Sequence, residues 1–386
     1  MTDNLGAQVE AAAPTQPVTA MTLQGSASQW KLMWWQFRRH KMAMASLVVL
    51  LLILIVAAFC EFIAPFPADA FTPRFTYAPP QRVHLFDRDE SGGLVWRPYV
   101  NGYKVTIDPV ALRRTFVIDE AVKYPIGFLV PSDPYPMWGG VFMPETKLIG
   151  PLHKGDPVFL LGADRLGRDL FSRIVYGTRI SMSIGLIGVT LSLVLGIVLG
   201  GISGYKGGWV DNVIQRVIEF ILSLPTTPLW LGLAAAMPSN WPPLRIYFAI
   251  TIILSLIGWT NLARVIRGKF LSLRTEDFVT AARLDGASEP RIIFRHMAPS
   301  FFSHIIAEIS LAIPAMILAE TALSFLGLGL QPPIVSWGVL LQEAQNIRAI
   351  STAPWLFTPG LAVVVTVLAL NFVGDGLRDA ADPYRQ

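Results

Sequence analysis

The sequence predicts an all-α polytopic membrane protein with six transmembrane helices and an extracytoplasmic α/β insertion between the first and second. Three observations carry this. Of 386 residues, 53% are hydrophobic and only 15% charged, with a mean hydropathy of +0.49, a balance foreign to soluble domains. Uncharged runs near the ~20 residues that cross hydrocarbon recur at 42–60, 180–202, 220–237, 246–263 and 355–374. Basic residues, finally, gather on one side of those runs, as the positive-inside rule requires.

The sixth span, 303–326, is interrupted by Glu308, Pro314 and Glu320, and charge parity demands it. With the N-terminus inside, the cytoplasmic segments hold Lys31, Arg38, Arg39, Lys41, Lys206, Arg264, Arg267, Lys269, Arg274, Arg283, Arg291, Arg295, Arg378 and Arg385, against Arg245 and Arg348 in the short outer loops. Five spans would put the last basic residues on the wrong side. Both termini are therefore expected in the cytoplasm.

Along the chain, residues 1–30 are rich in Ala, Thr, Gln, Pro and Ser and read as a disordered cytoplasmic tail. Residues 31–63 form the first span with its basic flank, resembling a signal peptide but too long and without an A-x-A site. The lone Cys60 excludes an intramolecular disulfide and a thiolate zinc cluster. Residues 64–170 are the extracytoplasmic insertion. In it "WRPYVNGYKVTID" reads as a hairpin turning at Asn101 and Gly102, and Asp108 with Pro109 as the start of a short helix. Residues 171–386 complete the transmembrane domain. There Ser192, Gly196, Gly200 and Gly204 make a small-residue stripe, suited to close helix packing or to a pore lining. Pro225 and Pro228 predict a hinge or a bend in the third span.

Between two apolar runs lies a polar stretch, 275–300. Thr275 is placed to cap a helix whose first turn holds Glu276 and Asp277. Gly286 suits its left-handed end, and Ser288 caps a second short helix with Pro290 in its first turn, ended by Pro299. This punctuation predicts a cytoplasmic helix-turn-helix. It serves either as a docking element, with Ala281 and Ala282 as the close-approach patch, or as an amphipathic hairpin on the lipid surface.

"TAARLDGASEPRIIFRHMAP" resembles the EAA loop of ABC importer permeases, the segment that enters a groove of the ATPase subunit. Ala281, Ala282, Gly286 and Pro299 match the motif; Thr280 stands where Glu is usual and Asp285 where Gly is common. "LLGADRLGRDLFSRIVYGTRISMSIGL", "ETALSFLGLGLQPPIVSWGVLL" and "GDGLRDAADP" are similar to the peptide/nickel group, in its dipeptide and oligopeptide C-type subunits. The resemblance implies the type I importer fold and a permease in a bacterial inner membrane. Its partners would be a second homologous permease subunit, two ABC ATPase subunits and an extracytoplasmic substrate-binding protein. It implies peptides as cargo, with oligosaccharides or nickel chelates as alternatives, and no nucleic acid. The chain itself lacks G-x-x-x-x-G-K-[ST], so ATP and Mg would be used by the partner ATPases, with no cofactor bound here and no enzymatic activity. An ion-coupled secondary transporter would use Glu308 and Glu320 as ligands, but the halves carry no internal repeat. Glu320 is expected to be satisfied by a neighbouring chain or at the outer interface, away from lipid.

Overall fold

The computed structural model describes residues 29–88, 93–107, 109, 114–238, 240–297 and 302–381. The expected tail, apart from its last two residues, and the expected helix start at Asp108 and stop at Pro299 lie outside them.

Helix α1 (Gln29–Arg39) leads into α2 (Lys41–Ala58), the first span. His40 marks the joint, its Nδ1 accepting the Ala43 N–H at 3.0 Å as an N-cap. A single turn, α3 (Cys60–Ile63), opens the insertion. Strands β1 (Val83–Arg88), β2 (Leu94–Ile107), β3 (Arg114–Pro131) and β4 (Thr146–Pro151) form an antiparallel sheet in sequence order, with 3-10 turns at Pro73–Phe75 and Trp138–Gly140.

The hairpin expected at Asn101 and Gly102 is corrected: both lie inside β2. Opposite them β3 bulges, since Asn101 pairs with Lys123 and Gly102 with Asp119. A Cβ on Gly102 would lie 2.9 Å from Val122 Cγ1. Gly102 is needed for that close approach and not for a turn.

The long α4 (Leu170–Lys206) starts on Asp169, whose Oδ2 accepts the Ser172 N–H at 2.8 Å. Helices α5 (Gly208–Ser223) and α6 (Thr226–Ala235) meet at an 84° bend. Pro225 caps α6 and Pro228 falls in its first turn, where a missing N–H leaves no bond unmade. Helix α7 (Pro243–Leu273) runs parallel to α4: Tyr247 meets Ser183, Ser255 meets Ser192, and Gly200 and Gly204 oppose Ala263 and Arg267. Parallel neighbours oblige the chain to recross between 206 and 243. The bent pair is that crossing, so the expected third span is broken in two.

Beyond α7 lie α8 (Asp277–Leu284), α9 (Glu289–Arg291) and a π-turn, Ile292–Met297. Helix α10 (Phe302–Phe325) returns with Pro314 inside it. Short α11 (Trp337–Gln342) and α12 (Ile347–Thr352) pack near the insertion, and α13 (Thr358–Ala381) crosses back to bury Val373 and Ala380 against Phe37 and Ala43. One end of the bundle thus carries the sheet, and the other carries α8, α9 and both ends of the described chain.

Candidate coupling loop and buried polar sites

The α8–α9 loop owes its shape to three local devices. The Glu276 N–H donates to Leu273 O at 3.1 Å, a tight turn that leaves Glu276, not the expected Thr275, at the N-cap of α8, with no side-chain cap bond. Gly286 has φ +77°. Around it the Gly286 N–H donates to Arg283 O and the Ala287 N–H to Ala282 O, each at 3.1 Å, the paired bonds of a Schellman end. Ser288 is then extended at the N-cap of α9, with Pro290 in the first turn, though its hydroxyl makes no cap bond.

The expected Ala281–Ala282 patch is divided by the fold. Ala282 is buried with Val279, Phe270, Ile292, Met297 and Ile305, so it holds the loop onto α7 and α10. Ala281 is exposed, as are Thr280 and Asp285, beside Phe278 and an 83% exposed Leu284. Arg283 lies over the Tyr205 ring at 5.4 Å and Lys206 pairs with Glu289 at 3.2 Å. The loop is therefore packed against the base of the bundle and tied to the end of α4, with an apolar face turned outward.

The small-residue stripe meets α7 of the same chain. Ser192 donates to Ser255 O at 3.2 Å; a Cβ on Gly196 would lie 2.9 Å from Leu262, on Gly200 2.5 Å from Ala263 O, and on Gly204 2.7 Å from Arg267 O. The stripe is a packing seam and leaves nothing over for a second subunit. Below it Asp211 of α5 accepts from Arg267 and Ser203, a clasp the sequence did not disclose because its members are 56 and 8 residues apart.

Glu320, expected to be satisfied by a neighbouring chain or at the outer interface, is fully buried; its Oε1 finds partners inside this chain, while Oε2 has no hydrogen-bond partner among the described residues. Oε1 accepts from Ser324 Oγ and Ser336 Oγ, both at 2.8 Å. Those hydroxyls in turn accept the N–H groups of Leu330 at 2.9 Å and Val339 at 3.2 Å. Ser181 of α4 accepts the Trp337 N–H at 3.1 Å. One carboxylate thereby fastens the Leu330–Val339 stretch to α10, beside α4.

At the sheet end, "GADRLGRDLFSR" forms a clamp. Buried Asp164 accepts from Arg168 Nε at 2.6 Å and from Arg173, and its Oδ1 takes the N–H groups of Leu166 and Arg168. Nearby, Arg179 donates to Glu61 and to the carbonyls of Ala57 and Ala58. Burial pushes the Glu61 carboxyl up, but the hydrogen bonds from Arg179, a backbone N–H and Cys60, together with the Arg179 charge, hold it below the usual carboxylate range. Lys147 of β4 donates to Glu61 O at 2.9 Å, and burial lowers its pKa to about 8.

Among the described residues, five helices are long and apolar enough to cross a membrane, or six spans if the bent α5–α6 pair counts as one, and they form a bundle of membrane-protein type with a structured loop at one end. Residues 196–385 match the family described as binding-protein-dependent transport system inner membrane component, and residues 28–80 match the N-terminal transmembrane domain of oligopeptide transport permease C. The chain is 38% identical to a dipeptide transport system permease protein of Alkalihalophilus pseudofirmus, over 62% of this chain and 75% of that one. It is 41% identical to an oligopeptide transport system permease protein of Escherichia coli K12 (58% and 71%), and 40% identical to a glutathione transport system permease protein of Pectobacterium atrosepticum (58% and 72%). A solved inward-facing MetNI methionine ABC transporter aligns with a TM-score of 0.43 at 15% identity, over 54% of this chain and 96% of that one. The chain belongs to the binding-protein-dependent transport system inner membrane components, and it is a permease subunit without catalytic activity of its own. The sheet, 83–151, falls between the two family matches.

Proposed function

We propose that this chain is one transmembrane subunit of an ATP-driven importer that moves dipeptides or oligopeptides delivered by an extracytoplasmic binding protein. It works in a bacterial inner membrane with a second, homologous permease subunit. Two ATPase subunits, which use the ATP and Mg, dock at the loop end, so that end and both termini are cytoplasmic and the sheet is extracytoplasmic.

The observation that carries this reading is the outward face of α8, where Phe278, Ala281 and Leu284 stand exposed on a loop anchored to α4, α7 and α10. A load on that face reaches three spans as a rigid-body push, the form in which closure of a partner is transmitted. The test is uptake in vesicles holding the assembled transporter. Uptake that stops when a partner ATPase is inactivated, and persists when the ion gradient is collapsed, supports the reading. The reverse pattern overturns it. Mass analysis of the ligand held by the cognate binding protein decides the cargo: recovery of peptides supports it, and recovery of a sugar or a nickel chelate refutes it.

A further inference from the structure

Between β3 and β4 the chain reaches down to the end of α2. Residues 135–144, YPMWGGVFMP, contain no charge. The Met137 N–H donates to Phe142 O at 2.9 Å, closing a small loop around Gly139 (φ +71°) and Gly140 (φ +95°). Trp138 Nε1 donates to Ala58 O at 2.6 Å, the last carbonyl of α2. Its ring packs on Phe59 (5.5 Å between centroids) and on Phe142 (5.6 Å).

What α2 exposes at this point decides what the loop touches. Val48, Leu51, Leu52, Ile55 and Phe59 are exposed along one side of that helix, at the spacing of a helical face. In a helix long and apolar enough to span, that face is a lipid face. Trp138 continues it without a gap, and Val141 (72% exposed), Phe142 and Met143 extend it outward. The level is marked too: Arg179 binds the carbonyls of Ala57 and Ala58, and Lys147 that of Glu61, so fixed charge begins where α2 ends. Hydrocarbon stops at such charges, and Trp is favoured at that boundary, with its ring in the acyl region and its N–H on a polar partner.

We infer that the 138–143 tip is a membrane anchor, seated at the headgroup–acyl boundary of the leaflet in which α2 ends. The insertion is then held by lipid at its tip and by Lys147 at its base, which sets the height of the sheet over the bilayer. This depends on the chain spanning a membrane and not on what it transports.

The test uses the assembled transporter in bilayers, with buried Cys60 replaced by Ala and a polarity-sensitive fluorophore on Val141→Cys. Leu85→Cys, on the strand farthest from β4, is the reference. At 141 we expect emission shifted to shorter wavelength, strong quenching by nitroxides fixed near the lipid headgroup, weaker quenching by nitroxides at the acyl end, and less iodide quenching than at 85. Equal iodide quenching at 141 and 85 without nitroxide quenching overturns the inference, because the tip then stands in water. Shielding from both quenchers also overturns it, because a protein partner then covers the tip.

Discussion

Gly200 and Gly286 are the same residue put to opposite uses. In the α4–α7 seam, Gly200 is helical, and a Cβ there would lie 2.5 Å from Ala263 O; glycine is required because of its neighbour. In the loop, Gly286 has φ +77° with nothing within 4 Å of where a Cβ would stand; glycine is required because of its own backbone. A crowded glycine is a packing element whose loss takes the fold with it. An uncrowded one with positive φ is a shape element whose loss changes where the chain goes next.

The largest effect expected is therefore at the seam. In Gly200→Leu the obstructing atom is a backbone carbonyl that cannot rotate away, and α7 must move bodily. Overpacking typically costs about 1–3 kcal/mol, and more where backbone must shift, against about 1 kcal/mol recovered from helix propensity. Size-exclusion chromatography of the detergent-extracted protein should show loss of the monodisperse peak. A wild-type peak would mean that the seam is not the close contact described here.

Gly286→Val should do the converse. A branched residue in the left-handed region costs about 1–2 kcal/mol, borne by the Schellman turn alone, so the monodisperse peak survives while uptake falls by at least tenfold, a factor of about 1.4 kcal/mol. Gly286→Asn, which tolerates that conformation, should restore most of the uptake. Equal loss in Val and Asn would indicate that the backbone conformation is not the cause.

How far these roles could be read from sequence follows the same division. Gly286 was legible because its signals are local: Glu276 and Asp277 at the start of α8, Ser288 and Pro290 after its end. The stripe was legible as a stripe, since its members recur every four residues, but its partner was not, because nothing in α4 says which helix will cover it. Asn101–Gly102 was misread because that pair serves positive φ and close approach equally well, and the bulge of β3 that settles the matter is some 20 residues away. Ser324 and Ser336 give no sign in the sequence that they converge on one carboxylate.

A smaller effect separates the two sides of α8. Leu284 is 83% exposed, so Leu284→Glu should leave yield and monodispersity unchanged while weakening co-purification of the ATPases severalfold. Ala282→Trp enlarges a residue inside the loop's own cluster and should lower thermal stability first, with ATPase loss only as a consequence. Unchanged ATPase retention in a stable Leu284→Glu protein would remove the outward face from the coupling mechanism.

The smallest change is expected at Glu320→Gln. The structure places two serine hydroxyls on Oε1 and no partner on Oε2 among the described residues. The amide oxygen of Gln can therefore still accept from both serines, its NH2 takes the place that has no partner, and its volume is nearly the same. The serines keep their orientation and continue to receive the N–H groups of Leu330 and Val339, so assembly and uptake should stay close to wild type. Glu320→Leu removes the acceptor altogether and leaves two buried hydroxyls unmatched, each costing about 1–3 kcal/mol, with the Leu330–Val339 stretch loosened from α10. Melting temperatures of the two variants make the comparison. Near-wild-type melting in Gln with a clear drop in Leu assigns Glu320 to holding serines. A large drop in Gln as well would show that the negative charge itself is needed, which a hydroxyl-fastening role does not require.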